Sequence, residues 1–152
     1  MERYIWHING KAINEDRLIN INEGDVVRFT FENGTMMHHP MHLHGHFFRV
    51  LNKNGEFSPL KHTVDVSPMG SRTIEFYANE PGQWMLHCHN LYHMDSGMAR
   101  VVKYNTYKPT PAQEHLDHQD HQDHHRHNPW YQTGSVLAAS NIFEGKYKLS
   151  QT

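Results

Sequence analysis

Val26-Val27-Arg28-Phe29-Thr30-Phe31 alternates strictly, with Val27, Phe29 and Phe31 on one side and Val26, Arg28 and Thr30 on the other. A period of two is the signature of a β-strand with one face buried. Working outward, His46–Leu51, His62–Val66, Thr73–Tyr77, Gln83–His89 and Ala99–Tyr104 read as further strands. Turn-forming clusters separate them: Glu23-Gly24-Asp25, Glu32-Asn33-Gly34, Asn52-Lys53-Asn54-Gly55, Ser67-Pro68-Met69-Gly70 and Glu80-Pro81-Gly82. Short strands at regular spacing, without a convincing amphipathic helix, predict an all-β sandwich or barrel. The pattern ends near Tyr104. Lys108-Pro109-Thr110-Pro111 reads as a stiff polar linker, and the run from His115 to His127 repeats His and Asp with a single aliphatic residue, Leu116. Such a run cannot build a core, and it is expected to be a disordered, metal-binding tail. The reading therefore divides the chain into a domain over 1–105, a Pro/His/Asp-rich tail over 106–129 and an unassigned segment over 130–152, with room for one hairpin.

Composition narrows the chemistry. Among 152 residues, 14 basic and 16 acidic side chains nearly cancel, so there is no basic excess of the kind that binds nucleic acid. No apolar run is long enough to span a membrane. The first residues, Met1-Glu2-Arg3-Tyr4-Ile5-Trp6, lack the apolar core of a signal peptide, so any export signal is expected to lie outside this sequence. A single cysteine excludes an intrachain disulfide and makes Cys88 either a free thiol or a metal ligand. Sixteen histidines and eight methionines supply donors in excess of ordinary need.

Two segments concentrate those donors: Met36-Met37-His38-His39-Pro40-Met41-His42-Leu43-His44-Gly45-His46 and His87-Cys88-His89-Asn90-Leu91-Tyr92-His93-Met94-Asp95-Ser96-Gly97-Met98. Residues two apart on a strand lie ~6.5–7 Å apart on one face. His87 and His89 then share a face while Cys88 points the other way, and His42 and His44 share a face likewise. Two His-x-His pairs on adjacent strands place four imidazoles on one side. Cys88 serves a different site. His93, five residues on, and Met98, ten on, can loop back to its sulfur, and His39 can approach from the neighbouring strand end. Two imidazoles, a thiolate and a weak thioether form the ligand set of blue-copper electron-transfer centres. Met94 competes with Met98 for the thioether position, and spacing favours Met98.

Both segments resemble the copper signatures of the C-terminal cupredoxin domain of multicopper oxidases, the laccase and bacterial copper-resistance oxidase family. His39-Pro40-Met41-His42-Leu43-His44-Gly45 matches H-P-x-H-L-H-G, and His87-Cys88-His89 with His93 and Met98 matches H-C-H-x3-H-x4-M/L. Lys61-His62-Thr63-Val64, Leu91-Tyr92-His93-Met94 and Ser96-Gly97-Met98 resemble the copper-resistance branch most. The resemblance covers residues 1 to 105 and implies a Greek-key cupredoxin β-sandwich. It implies type 1 copper on His39, Cys88, His93 and Met98, a type 2 ligand in His42, and type 3 ligands in His44, His87 and His89. By the same resemblance, type 1 copper takes electrons from a reducing substrate, phenolic or Cu(I). A trinuclear cluster then reduces O2 to water, in a periplasmic or extracellular setting.

One departure qualifies the match. The family's cluster uses eight histidines from two cupredoxin domains, and this chain has one pair of His-x-His segments in strand context. The resemblance thus implies a complete type 1 site and half of a trinuclear site, with the remainder supplied by another chain, a further N-terminal part or a second copy. A non-catalytic cupredoxin that carries electrons or sequesters copper is the rival reading, because it needs only the Cys88 site. A zinc hydrolase or cupin leaves Cys88 and Met98 unexplained. The strand period puts His46 on the face of His42 and His44, where, having no ligand role in the family, it is expected to support or pack; His38 is given no role, His7 and His62 are expected to be structural, and Met36, Met37, Met41 and Met85 to be packing residues.

Overall fold

In the computed structural model, residues 4–52, 58–108 and 141–152 are described. They form two β-sheets that face each other across one core. The strands are β1 (Trp6–Ile8), β2 (Leu18–Ile21), β3 (Val26–Asn33), β4 (His39–Leu43), β5 (Phe48–Leu51), β6 (Leu60–Lys61), β7 (Thr63–Val66), β8 (Ser71–Tyr77), β9 (Gln83–Cys88), β10 (Ala99–Tyr104) and β11 (Ile142–Gln151). One short helix, α1 (Leu91–Asp95), follows β9. The first sheet runs β1-β11-β3-β8-β5-β6 and the second β2-β10-β9-β4-β7. All pairings are antiparallel except β11 with β3 and β10 with β2. This is the cupredoxin sandwich.

The alternation in β3 does what its period demands. Val27, Phe29 and Phe31 are fully buried, and Phe29 meets Phe76 and Tyr147 edge-on at 5.5 and 5.1 Å. Burying side chains of this size contributes roughly 1.5–3 kcal/mol each, which makes β3 the anchor of its sheet. On the facing sheet, β4 and β9 pair so that Met41 opposes Cys88, His42 opposes His87 and Leu43 opposes Leu86. Directly opposed residues share a face. Met41, Cys88, Leu43 and Leu86 therefore enter the core, where each is at most 1% exposed, and His42 and His87 take the other face.

The C-terminal segment differs from the hairpin considered for it. Residues 142–151 form a single ten-residue strand, inserted between β1 and β3 and parallel to β3. Its Tyr147 and Leu149 are buried in the common core. One strand suffices because β3 and β1 supply hydrogen-bonding partners on both of its edges. The His/Asp run expected to be disordered lies outside the described residues.

Candidate metal centres

The first donor set sits where β4, the end of β9 and α1 converge. His39 and Cys88 both lie on the core faces of their strands, and α1 brings in His93. Asn90 caps that helix, its side chain accepting from the Tyr92 N–H, as short polar residues do at helix starts. The one-turn helix reverses the chain within the Cys88–His93 interval. His39 Nδ1 and His93 Nδ1 lie 3.7 and 3.5 Å from Cys88 Sγ, and 3.1 Å from each other. All three residues are buried, at 0%, 1% and 0% exposure for His39, His93 and Cys88. Met98 is fully buried too; its N–H donates to the His93 carbonyl and its carbonyl accepts from Cys88 N–H. Met94 is only half-buried.

Protonation favours metal binding on the nitrogen side. Burial lowers the His39 pKa to about 4, with His93 nearby adding to the shift, and burial lowers that of His93. The Thr35 hydroxyl lies 2.8 Å from Asn33 Oδ1 and 2.7 Å from His39 Nε2. When the hydroxyl donates to Asn33 it accepts from the Nε2–H of His39, and that tautomer turns the lone pair on Nδ1 toward the sulfur. Cys88 behaves in the opposite way: burial pushes its thiol up to about 11. A metal must displace that proton to bind.

Asn33 and Thr35, which sequence reading did not single out, hold this edge together. Asn33 closes β3, buried, and its amide donates to the carbonyls of Met37 (2.7 Å), Ser67 (3.0 Å) and Val66 (3.1 Å). Its Oδ1 accepts from the N–H and hydroxyl of Thr35, both at 2.8 Å. Glu32-Asn33-Gly34 reads as a turn; in the structure β3 runs through Asn33, the chain bends over 35–37, and the asparagine side chain faces inward. No local pattern distinguishes the two roles.

The second donor set lies across the strand pair. His44 Nε2 and His87 Nε2 are 2.9 Å apart, and the His42 ring lies 4.8 Å from that of His44 and 5.5 Å from that of His87. His89 is exposed, with its ring 5.9 Å from His87 in a stacked arrangement and 5.5 Å from His42. Two of these rings have assigned tautomers. His42 Nδ1 donates to the His62 carbonyl (2.6 Å), and His87 Nδ1 donates to the Cys88 carbonyl (2.9 Å). A carbonyl only accepts, so both neutral rings carry their lone pair on Nε2, which in His87 faces His44 Nε2. Burial lowers the His42 pKa to about 4. The backbone between His44 and His46 turns at Gly45, with φ of +73°. A Cβ there would lie 2.4 Å from the Trp84 ring, so the position requires glycine.

Other singled-out residues fall elsewhere. His46 does not join His42 and His44, because the Gly45 turn sends it into the core. There its Nδ1 meets the His44 carbonyl at 2.9 Å and its Nε2 the Tyr104 hydroxyl at 2.7 Å. His38 is exposed and pairs with Asp65 at 2.7 Å. His7 is buried in β1, and His62 is exposed beside His42. Met41 packs in the core and Met85 is half-buried, whereas Met36 and Met37 are exposed at 79% and 45%, which corrects their reading as packing residues.

The donor sets fit a metal in size as well as in type. Three ligands around one ion, at about 2.0–2.1 Å for nitrogen and 2.3 Å for sulfur, set N···S separations of about 3.7 Å in a trigonal plane. The two N···S distances at Cys88 match this. A buried cysteine sulfur with two buried imidazoles suits copper in either oxidation state.

Residues 1–108 match the family model described as multicopper oxidase. The chain is 41% identical over 103 residues to copper resistance protein A of Escherichia coli, covering 68% of this chain and 17% of that one. It is 38% identical over 104 residues to multicopper oxidase MmcO of Mycobacterium tuberculosis, covering 68% and 21%. Among solved structures, McoA multicopper oxidase of the hyperthermophile Aquifex aeolicus superposes with a TM-score of 0.56 at 33% identity, covering 64% of this chain and 26% of that one. The chain spans about a fifth of the length of these curated relatives. Sandwich, donor sets and sequence agree: this chain belongs to the multicopper oxidase family.

Proposed function

We propose that this chain provides the copper-binding, substrate-oxidising domain of a multicopper oxidase of the copper-resistance type. The observation that carries the reading is the placement of two donor sets on opposite faces of one strand pair, joined through His87-Cys88-His89. His39, Cys88, His93 and Met98 would hold a type 1 copper; His42 would serve a type 2 ion, and His44, His87 and His89 type 3 ions. Bound copper would supply one-electron transfer from a phenolic or Cu(I) donor at the first set and reduction of O2 to water at the second.

The protein's own residues have definable tasks. Thr35 and Asn33 hold His39 with its lone pair toward the sulfur. The Cys88 carbonyl, by accepting from His87 Nδ1, orients that ring and ties the two sets by a hydrogen bond as well as by the peptide bond. Burial of Cys88 excludes water and competing thiol chemistry. Among the described residues three imidazoles, His42, His44 and His87, converge with His89 beside them, so completing a trinuclear site calls for a second cupredoxin domain, from another chain, a further part of the protein or a second copy. The family relatives suggest a periplasmic or extracellular setting; no helix among the described residues is long and apolar enough to cross a membrane.

The test is addition of Cu(II) to the purified chain, followed by its visible spectrum, a copper count and O2 uptake with a phenolic or Cu(I) donor. An intense blue thiolate band, lost in Cys88→Ser, is expected. A folded, copper-loaded chain without that band would refute the reading. A blue chain with one copper and no O2 uptake, alone or with a second cupredoxin domain, would favour the electron-carrying or copper-sequestering alternative.

A further inference from the structure

Trp6 is 2% exposed, and its ring lies 4.0 Å from that of His93 at 38° and 5.2 Å from that of His39 at 69°. It covers both imidazoles of the Cys88 centre at once. Its backbone N–H donates to the Ser96 carbonyl at 2.9 Å, in the loop between His93 and Met98. That approach needs Gly97, because a Cβ there would sit 2.6 Å from the Trp6 carbonyl oxygen. The indole N–H, by contrast, is buried without an acceptor among the described residues. The ring's placement, rather than its polar atom, is what the surroundings maintain.

The strand carrying Trp6 is weakly held. β1 has three residues and one strand partner, β11, with Trp6 opposite Gln151, His7 opposite Ser150 and Ile8 opposite Leu149. Its far end is pinned independently, since the Arg100 guanidinium donates to the carbonyls of Ile8 and Lys11. The Trp6 end is held on one side by the Ser96 carbonyl and on the other by Ser150–Thr152, where Ile5 N–H donates to the Thr152 carbonyl (3.2 Å) and Thr152 N–H to the Ile5 carbonyl (3.0 Å).

We propose that Trp6 is a positioning residue for the Cys88 centre and that Ser150–Thr152 are the clamp that holds it against His39 and His93. The proposal rests on the copper reading above. With copper on a thiolate and two neutral imidazoles, the oxidised centre carries one net positive charge and the reduced centre none. A dry aromatic wall disfavours the charged state, so it raises the reduction potential and bars solvent from the sulfur.

The experiment uses Trp6→Leu, Trp6→Phe and a chain ending at Leu149, which keeps every β11–β3 pair and removes the partners of Ile5, Trp6 and His7. Each is checked for folding by circular dichroism, then read by redox titration of the blue band and by alkylation of Cys88 in the metal-free chain. Trp6→Leu and the shortened chain should shift the Cu(II)/Cu(I) equilibrium toward Cu(II) by about tenfold, equivalent to 59 mV for one electron. Both should also alkylate faster than wild type, because a buried thiol reacts only when solvent and reagent reach it. Trp6→Phe should behave as wild type. If Trp6→Leu does not fold, the shortened chain and Trp6→Phe still decide. Unchanged potential and alkylation in a shortened chain that remains blue would overturn the proposal alone. A folded, copper-loaded wild type with no blue band would overturn the copper reading and this inference with it.

Discussion

Replacing Asn33 by alanine should be among the most damaging single changes outside the metal ligands. The side chain makes five contacts of 3.1 Å or less: three to carbonyls and two from Thr35. A buried hydrogen bond is worth about 1 kcal/mol net, and groups left without partners add about 1–3 kcal/mol more. Some of this is recovered, because the Thr35 hydroxyl has a second acceptor in the Met37 carbonyl at 3.3 Å and water can enter the space left behind. The expected loss is about 3 kcal/mol for the metal-free chain. With a urea dependence of about 1.5 kcal/mol per molar, the unfolding midpoint should fall by about 2 M. Urea titration followed by far-ultraviolet circular dichroism measures it directly. A fall of less than about 0.7 M, or about 1 kcal/mol, would show that Asn33 is not the tie between β3, the 34–38 segment and the end of β7, and the account of how His39 is held would fail with it.

Acid should destabilise the metal-free chain in a defined window. His39 and His42 titrate near 4 when folded against about 6.5 when unfolded, so between those values the unfolded state binds more protons. Stability is then fully present above about 6.5 and declines as pH falls toward 4; urea midpoints that stay level from pH 7 to 4.5 would contradict this. Copper(II) uptake at pH 7–9 should release about one proton per ion, from a Cys88 thiol otherwise protonated up to about 11; an indicator-dye titration of wild type against Cys88→Ser tests it, and equal release from both would sink the thiolate assignment. Gly45→Ala should cost about 2 kcal/mol or more through left-handed backbone strain and collision with Trp84, and it should displace His44 more than His39. A metal titration that finds His42–His44–His87 affinity unchanged in that variant would contradict the placement of the turn. Tyr104→Phe should cost about 1–2 kcal/mol by removing a hydroxyl that meets His46 Nε2 and accepts from the Glu80 N–H, measured by thermal melting; an unchanged melt would mean that these contacts carry no net energy.

What could be read in advance depended on whether the pattern was local. Val27, Phe29 and Phe31 declare β3 because alternation is a property of neighbours. Three consecutive buried residues, Trp6, His7 and Ile8, carry no alternation, so β1 was not foreseen. β11 does alternate, but the partner that makes it a strand of the sandwich is β3, early in the chain, and nothing near Ile142 points to it. The candidate donor residues stood out because a cysteine between two histidines has few structural uses, and the strand period alone separated Cys88 from His87. The same period misplaced His46, since it takes no account of a glycine with positive φ. The roles of Asn33, Thr35 and Trp6 arise from distant segments meeting, and a single sequence does not display that.

The register of β4 against β9 also limits how this protein can change length. Because Met41 faces Cys88 and His42 faces His87, inserting or deleting one residue in β9 would turn the sulfur outward among the imidazoles, and the same change in β4 would drive a histidine into the hydrocarbon interior. Length variation in this domain is therefore confined to its connecting turns, while substitution in the two strands keeps the register and is limited by burial at Met41, Leu43 and Leu86. A library of single-codon deletions scored for blue colour would trace that boundary residue by residue, with colourless variants from His39 to Leu43 and from Gln83 to Cys88.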